Sequence, residues 1–236
     1  MSTYLRSYAE VSLDAICHNL DEVKKLLTPD VKIMAVVKAN AYGHGAVPVA
    51  KALESRADFF AVAMLEEAVE LREAGITHPI LILGYTSPSQ YREMLAYDVR
   101  PCIYDYKTAE ALGKTALEAG CTARPHIAVD TGMNRIGFQV TEEDADQIAA
   151  INALPGIEIE GLFTHLSCAD MTEKTHACGQ FHKYAEMVSM LEKRGVQIPV
   201  RHICNSAGTM EFDGNRYEMV RAGIVMYGLY PSEEVD

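Results

Sequence analysis

The chain has 236 residues, 49% of them hydrophobic and 23% charged, an ordinary composition for a globular protein. A formal net charge of −12 argues against nucleic acid and anionic membrane surfaces as partners. No apolar run approaches the roughly 20 residues that a membrane-spanning helix needs, and the opening MSTYLRSYAEVSLD lacks the apolar core of a signal peptide. The expected compartment is therefore the cytoplasm.

Taken in order, residues 7–11 alternate weakly and suggest a short strand. Ser12 or Asp14 can then cap a helix whose apolar face is Ile16, Leu20, Val23 and Leu27. Five consecutive apolar residues, Ile33 to Val37, read as a strand buried on both faces. Helices are predicted at 46–55, 65–74, 87–96, 105–120, 142–153, 173–195 and 206–212, with Gly75 ending the second of these. Between them lie strands at 59–64, 79–84, 100–104, 125–130, 157–165, 201–205 and 219–224. Eight strands alternating with helices point to a parallel sheet closed as an α/β (β/α)8 barrel of the TIM type. A doubly wound open sheet is the alternative.

The six cysteines show no CxxC pair and are expected as reduced, buried thiols. His165, Cys168, His176, Cys178 and His182 offer ligand chemistry, but their spacing matches no familiar zinc pattern, so no metal is expected.

Catalytic groups of such barrels sit at the carboxyl ends of the strands. Lys38 follows the strand 33–37 directly. Burial there would disfavour its charged form and leave a nucleophilic amine able to form an imine; taken alone, a lysine snorkelling out of a strand end would look the same. Gly43-His44-Gly45 begins like a dinucleotide loop, but Pro48 stands where the third glycine belongs. Asp130 and Arg135 bracket a glycine turn, which suits a structural ion pair as well as an anion site. Ser206 and the N–H groups opening the next helix suit a phosphate, and Arg221 inside an apolar strand needs a partner.

The runs AVVKANAYGHG (residues 35–45) and DTGMNRIG (130–137) closely resemble alanine racemases, which use pyridoxal phosphate (PLP). The resemblance covers nearly the whole chain. It implies that Lys38 forms the aldimine with PLP and that Tyr42 binds the phosphate. It gives Arg135 the substrate carboxylate and the phenolic oxygen of the cofactor, with Asp130 behind it. It sets His165 against the PLP ring, which the apolar strand end at Leu83 is also suited to flank, and Arg221 opposite the pyridine nitrogen with His202 behind it. Asn205, Ser206 and the backbone N–H groups of Gly223 and Ile224 complete the cofactor site. The activity implied is interconversion of L- and D-alanine, which supplies D-alanine for peptidoglycan, in a homodimer with shared active sites.

Two departures stand out. Ala128 replaces the family's usual lysine two residues before the aspartate. The chain also stops soon after the eighth strand, where alanine racemases continue into a β-rich domain that supplies the tyrosine base for the other subunit. The expectation is an N-terminal domain, with 1–12 a strand segment packing on the missing part and 13–236 the barrel, that binds PLP but racemises poorly. Rival readings are a stand-alone PLP-binding barrel, a PLP decarboxylase, a metal-dependent hydrolase and a serine racemase relative.

Overall fold

The structure, a computed structural model, describes residues 8–213 and 217–235. Its barrel strands are β1 Lys32–Val36, β2 Phe59–Val62, β3 Ile80–Ile82, β4 Val99–Arg100 resuming as Cys102–Ile103, β5 His126–Asp130, β6 Gly161–Phe163, β7 Val200–His202 and β8 Met219–Ala222. Every pairing between them is parallel. Pro101 interrupts β4 because it has no N–H for the ladder. Val99 and Arg100 pair with β3, whereas Cys102 and Ile103 pair with β5. The ring is drawn shut by the Arg221 N–H, which donates to the Cys204 carbonyl just past β7 at 3.0 Å. The closed (β/α)8 barrel is the expected architecture.

The helices are α1 Leu13–Lys25, α2 Ala46–Leu53, α3 Leu65–Glu73, α4 Tyr91–Ala96, α5 Tyr106–Glu118, α6 Glu142–Asn152, α7 Thr175–Lys193 and α8 Ser206–Glu211. Their starts follow from side-chain caps that satisfy otherwise orphaned N–H groups. Ser12, not Asp14, caps α1 by accepting from Ala15 N at 3.2 Å. Asp105 accepts from Thr108 N, Thr141 from Asp144 N, and Asn205 from Gly208 N. Past α3, Gly75 sits at φ +95°, as a helix-ending glycine should.

Side chains alternate between two cores. Ile33, Ala35 and Val37 of the first strand pack outward under the helices, while Met34 and Val36 point into the barrel with Phe59, Ala61, Leu81 and Met219. The interior is not uniformly apolar: His126, His202 and Arg221 are buried within it.

Four local expectations are corrected. Residues 8–12 form no strand, and Ser7 with the residues before it lies outside the described part. The 157–165 strand narrows to Gly161–Phe163, with only a bridge between Ile157 and Ala123 further back. The helix expected over 87–96 opens as a 3-10 turn, Pro88–Gln90. Of the cysteines only Cys102 and Cys204 are buried; Cys121 and Cys178 are exposed.

Candidate active site

The carboxyl ends of the strands open into a cavity of about 600 Å³. Lys38, Tyr42, Leu83, Arg135, His165, Asn205, Ser206, Arg221, Gly223 and Ile224 all line it. The barrel thus gathers to one place residues spread over most of the chain. Lys38 is half-buried, and burial lowers its pKa; Arg135 adds to the effect and Glu67 opposes it. A larger share of neutral amine at physiological pH follows.

The backbone after Lys38 takes an unusual path. Ala39, Asn40 and Ala41 hold φ near +53° with ψ near +48°, and Tyr42 also has φ +53°. This is one turn of left-handed helix, which costs L-residues about 1–2 kcal/mol each. The surroundings hold it in place. Glu67 accepts from Ala39 N at 2.7 Å and from Ala63 N at 2.6 Å. Asn40 Oδ1 accepts from Ala46 N at 2.7 Å, and the Asn40 carbonyl accepts from the N–H groups of Gly43 and Gly45. The turn swings Tyr42 back toward β8, its ring 5.1 Å from that of Tyr227. Tyr227 stacks on His44 and donates to the Val36 carbonyl at 2.9 Å, tying this wall to β1.

Opposite the Tyr42 hydroxyl lies Gly223. A Cβ at Gly223 would stand 3.4 Å from Tyr42 Oη and 3.7 Å from Ser206 Oγ. The missing side chain therefore leaves a small polar cradle between two hydroxyls. Ser206 Oγ accepts from Gly223 N at 3.1 Å and from Val225 N at 3.4 Å, so the Gly223 N–H expected to face a phosphate is engaged with Ser206 in this structure. Asn205 lines the same wall, its carboxamide committed to the α8 cap and to the Leu166 carbonyl.

Arg221 forms the floor. It donates to His202 Nδ1 at 2.9 Å and to the carbonyls of His202, Thr164 and Ile203 at 3.0, 2.8 and 3.0 Å. Burial lowers its pKa to about 10, which still leaves it charged at neutral pH. His202 is therefore in direct contact behind it. His165 Nδ1 lies 3.3 Å from Arg221 Nη2, and burial, then Arg221, pushes the pKa of His165 down to about 3. It is a neutral ring at the pocket wall.

Asp130 and Arg135 form no ion pair among the described residues. Asp130 Oδ1 instead accepts from Gly132 N at 2.9 Å and Asn134 N at 3.0 Å, shaping the loop that delivers Arg135 to the cavity. Burial, which raises its pKa, is outweighed by these bonds. Ala128, where alanine racemases usually have a lysine, leaves this wall apolar with Ile136 and Phe163 beside it. Glu67 and Tyr227 were not singled out from the sequence: one reads as the polar face of a helix, the other as the tail of an apolar strand.

The residues present fit PLP. A half-buried amine, a cradle between two hydroxyls and a buried guanidinium line one cavity, matching in kind an aldehyde, a phosphate and a pyridine nitrogen.

Comparison with known proteins gives the same answer. Residues 11–231 match the family described as "Alanine racemase, N-terminal domain". An alanine racemase of Desulforamulus reducens is 47% identical over 230 residues, which are 97% of this chain and 62% of that protein. One from Methanococcus maripaludis is 43% identical over 229 residues, 61% of its length. The alanine racemase of Clostridium difficile 630 in complex with cycloserine superposes with a TM-score of 0.93 at 43% identity, over 94% of this chain and 62% of that one. That of Bacillus anthracis with bound L-Ala-P gives 0.93 at 40% identity, over 99% and 61%. The chain thus spans about three fifths of the relatives it matches, and within that span it belongs to the alanine racemase family, whose cofactor is PLP.

Proposed function

We propose that this chain is the PLP-binding part of an enzyme that interconverts L- and D-alanine in the cytoplasm, as a source of D-alanine for peptidoglycan, and that it works in a homodimer. The observation that carries the reading is the convergence of Lys38, Tyr42, Ser206, Gly223 and Arg221 on one cavity at the carboxyl end of the barrel.

Bound there, PLP would supply an electrophilic carbon for amines and a conjugated ring that stabilises charge left when an α-proton departs. Lys38 Nζ would hold it covalently and, when released, take or return a proton on its own face of the cavity. Tyr42 Oη and Ser206 Oγ would bind the phosphate beside Gly223. Arg221, charged at neutral pH, would face the pyridine nitrogen and keep it unprotonated, which favours returning the proton over side reactions. Arg135, on the loop shaped by Asp130, would hold the substrate carboxylate through its planar donors. Leu83 and His165 would close on the ring and exclude water.

Racemisation by two bases needs a second proton carrier on the opposite face. We place it in the part of the relatives that this chain does not cover, so the chain alone should bind PLP but turn over alanine slowly.

The test is a titration with PLP followed by borohydride reduction and peptide mapping. A visible band whose reduction leaves the label on Lys38 supports the reading. Label elsewhere, or none, refutes it.

A further inference from the structure

Arg221 is 3% exposed and forms no ion pair among the described residues, although a buried guanidinium calls for a counter-charge. A line of hydrogen bonds leads from it down the barrel interior. Arg221 Nη1 meets His202 Nδ1 at 2.9 Å, His202 Nε2 meets His126 Nδ1 at 2.8 Å, and His126 Nε2 meets Glu160 Oε2 at 3.2 Å. Arg100 Nε donates to the same carboxylate oxygen at 3.1 Å and pairs with Asp98 at 2.8 Å. Phe163 stacks on His202, and Phe59 meets His126 edge-on.

The chemistry of the guanidinium fixes the direction of this line. Arg221 has no acceptor, so it must donate to His202 Nδ1. A neutral His202 then carries its proton on Nε2 and gives it to His126 Nδ1. His126, in turn, carries its proton on Nε2 and gives it to Glu160. No other pair of neutral tautomers makes every bond. Burial lowers the pKa of both imidazoles, in keeping with neutral rings.

The neighbouring strand is built around this line. Gly161 in β6 faces His126, and a Cβ there would collide with the imidazole ring.

We propose that Glu160 is the counter-charge of Arg221, coupled to it through His126 and His202 in a one-way relay that sets both tautomers and holds the guanidinium at the pocket floor. Glu160 and His126 do not line the cavity, so their role is positioning. The proposal rests on the PLP reading only for what Arg221 faces.

The relay is tested on the cofactor-free chain, with histidine ring nitrogens labelled with ¹⁵N and observed by long-range ¹H–¹⁵N spectra. Both rings are expected to be protonated at Nε2 and not to titrate between about pH 8 and pH 5. A ring protonated at Nδ1, or one that titrates near its ordinary value, overturns the relay. Arg221→Met leaves Glu160 accepting from His126 Nε2, so both rings should stay protonated at Nε2 while the His202 Nδ1 resonance moves because its donor is lost; an unmoved His202 Nδ1 refutes the link to Arg221. Glu160→Gln should shift the ring nitrogens of His202 as well as those of His126 and weaken PLP binding by roughly tenfold. Shifts confined to His126 refute the coupling. If Glu160→Gln does not fold, the unmodified chain and Arg221→Met still decide. These spectra need no cofactor, so failure to take up PLP would sink the PLP site without touching the relay.

Discussion

The left-handed turn after Lys38 makes a sharp prediction about stability. Ala39 and Ala41 share the same backbone strain, but Ala39 is exposed and Ala41 is 0% exposed. Replacing Ala39 with glycine removes a steric penalty of about 1–2 kcal/mol. The freer unfolded chain takes back about 0.5–1 kcal/mol. No buried contact is lost, and the Ala39 N–H to Glu67 bond is kept. The net gain is about 0–1.5 kcal/mol, or up to about 6 °C in Tm for a chain of this size. Ala41→Gly gains the same relief but also loses a buried methyl worth about 0.8 kcal/mol, before any cavity cost. It should come out neutral or destabilising. Thermal and urea unfolding of the two variants beside the parent would decide. A lowered Tm for Ala39→Gly would refute the backbone strain at this turn, and equal shifts for both would refute the difference that burial of Ala41 makes.

Other outcomes follow from the same geometry. Gly223→Ala should fold normally, because the nearest neighbour of its Cβ is 3.4 Å away, yet bind PLP about tenfold more weakly, a loss of about 1.4 kcal/mol, as read by titration of the visible band. Arg135→Met removes a positive charge that helps to lower the Lys38 pKa, so the pH midpoint for attaching PLP to the chain should move upward while burial keeps it below that of a free lysine. The pKa of His165 is about 3 in the folded chain against 6.5 ordinarily, so the unfolded state binds more protons below pH 6.5. Stability should therefore fall as pH drops from 6.5 towards 3, and His165→Phe should flatten that slope in urea melts taken across the range.

Much of the fold was open to reading because local signals agreed with the global pattern. Helix starts are written in Ser12, Asp105, Thr141 and Asn205, and the strands announce themselves as apolar runs buried on both faces. What stayed hidden needed three dimensions. Pro101 splits the ladder of a strand that reads as continuous. The sequence Ala39-Asn40-Ala41-Tyr42 has no local reason to turn left-handed; a carboxylate 28 positions away in the chain, Glu67, secures it. The candidate site was legible for a different reason: its motifs resemble a family, and the cavity then gathered the same residues. Asp130 shows the limit of that route. It stands close to Arg135 in sequence, as an ion pair would, but its side chain is engaged by backbone N–H groups.

The buried charges show where position in sequence says least. His126, Glu160, His202 and Arg221 lie on or beside four different strands, and nothing in their local context marks them as one group. Barrel closure does so, because inward-facing side chains from separate strands meet inside a closed sheet. A lysine at the pocket can be desolvated by its own strand end. An arginine at the centre cannot be neutralised there without filling the pocket with acid. Placing the carboxylate at Glu160, two imidazoles away, balances the guanidinium without an acid in contact with it at the pocket floor, where the proposed phosphate site at Ser206 and Gly223 needs none. On this view the apolar interior and the polar line through it serve one end: the pocket keeps a fixed cation at its floor and admits anions from above. Arg221→Met should therefore weaken phosphate-bearing ligands and pyridoxal alike if its role is at the ring. It should weaken only the phosphorylated form if its role is the general field of the pocket, and comparing uptake of the two compounds by Lys38 separates these cases.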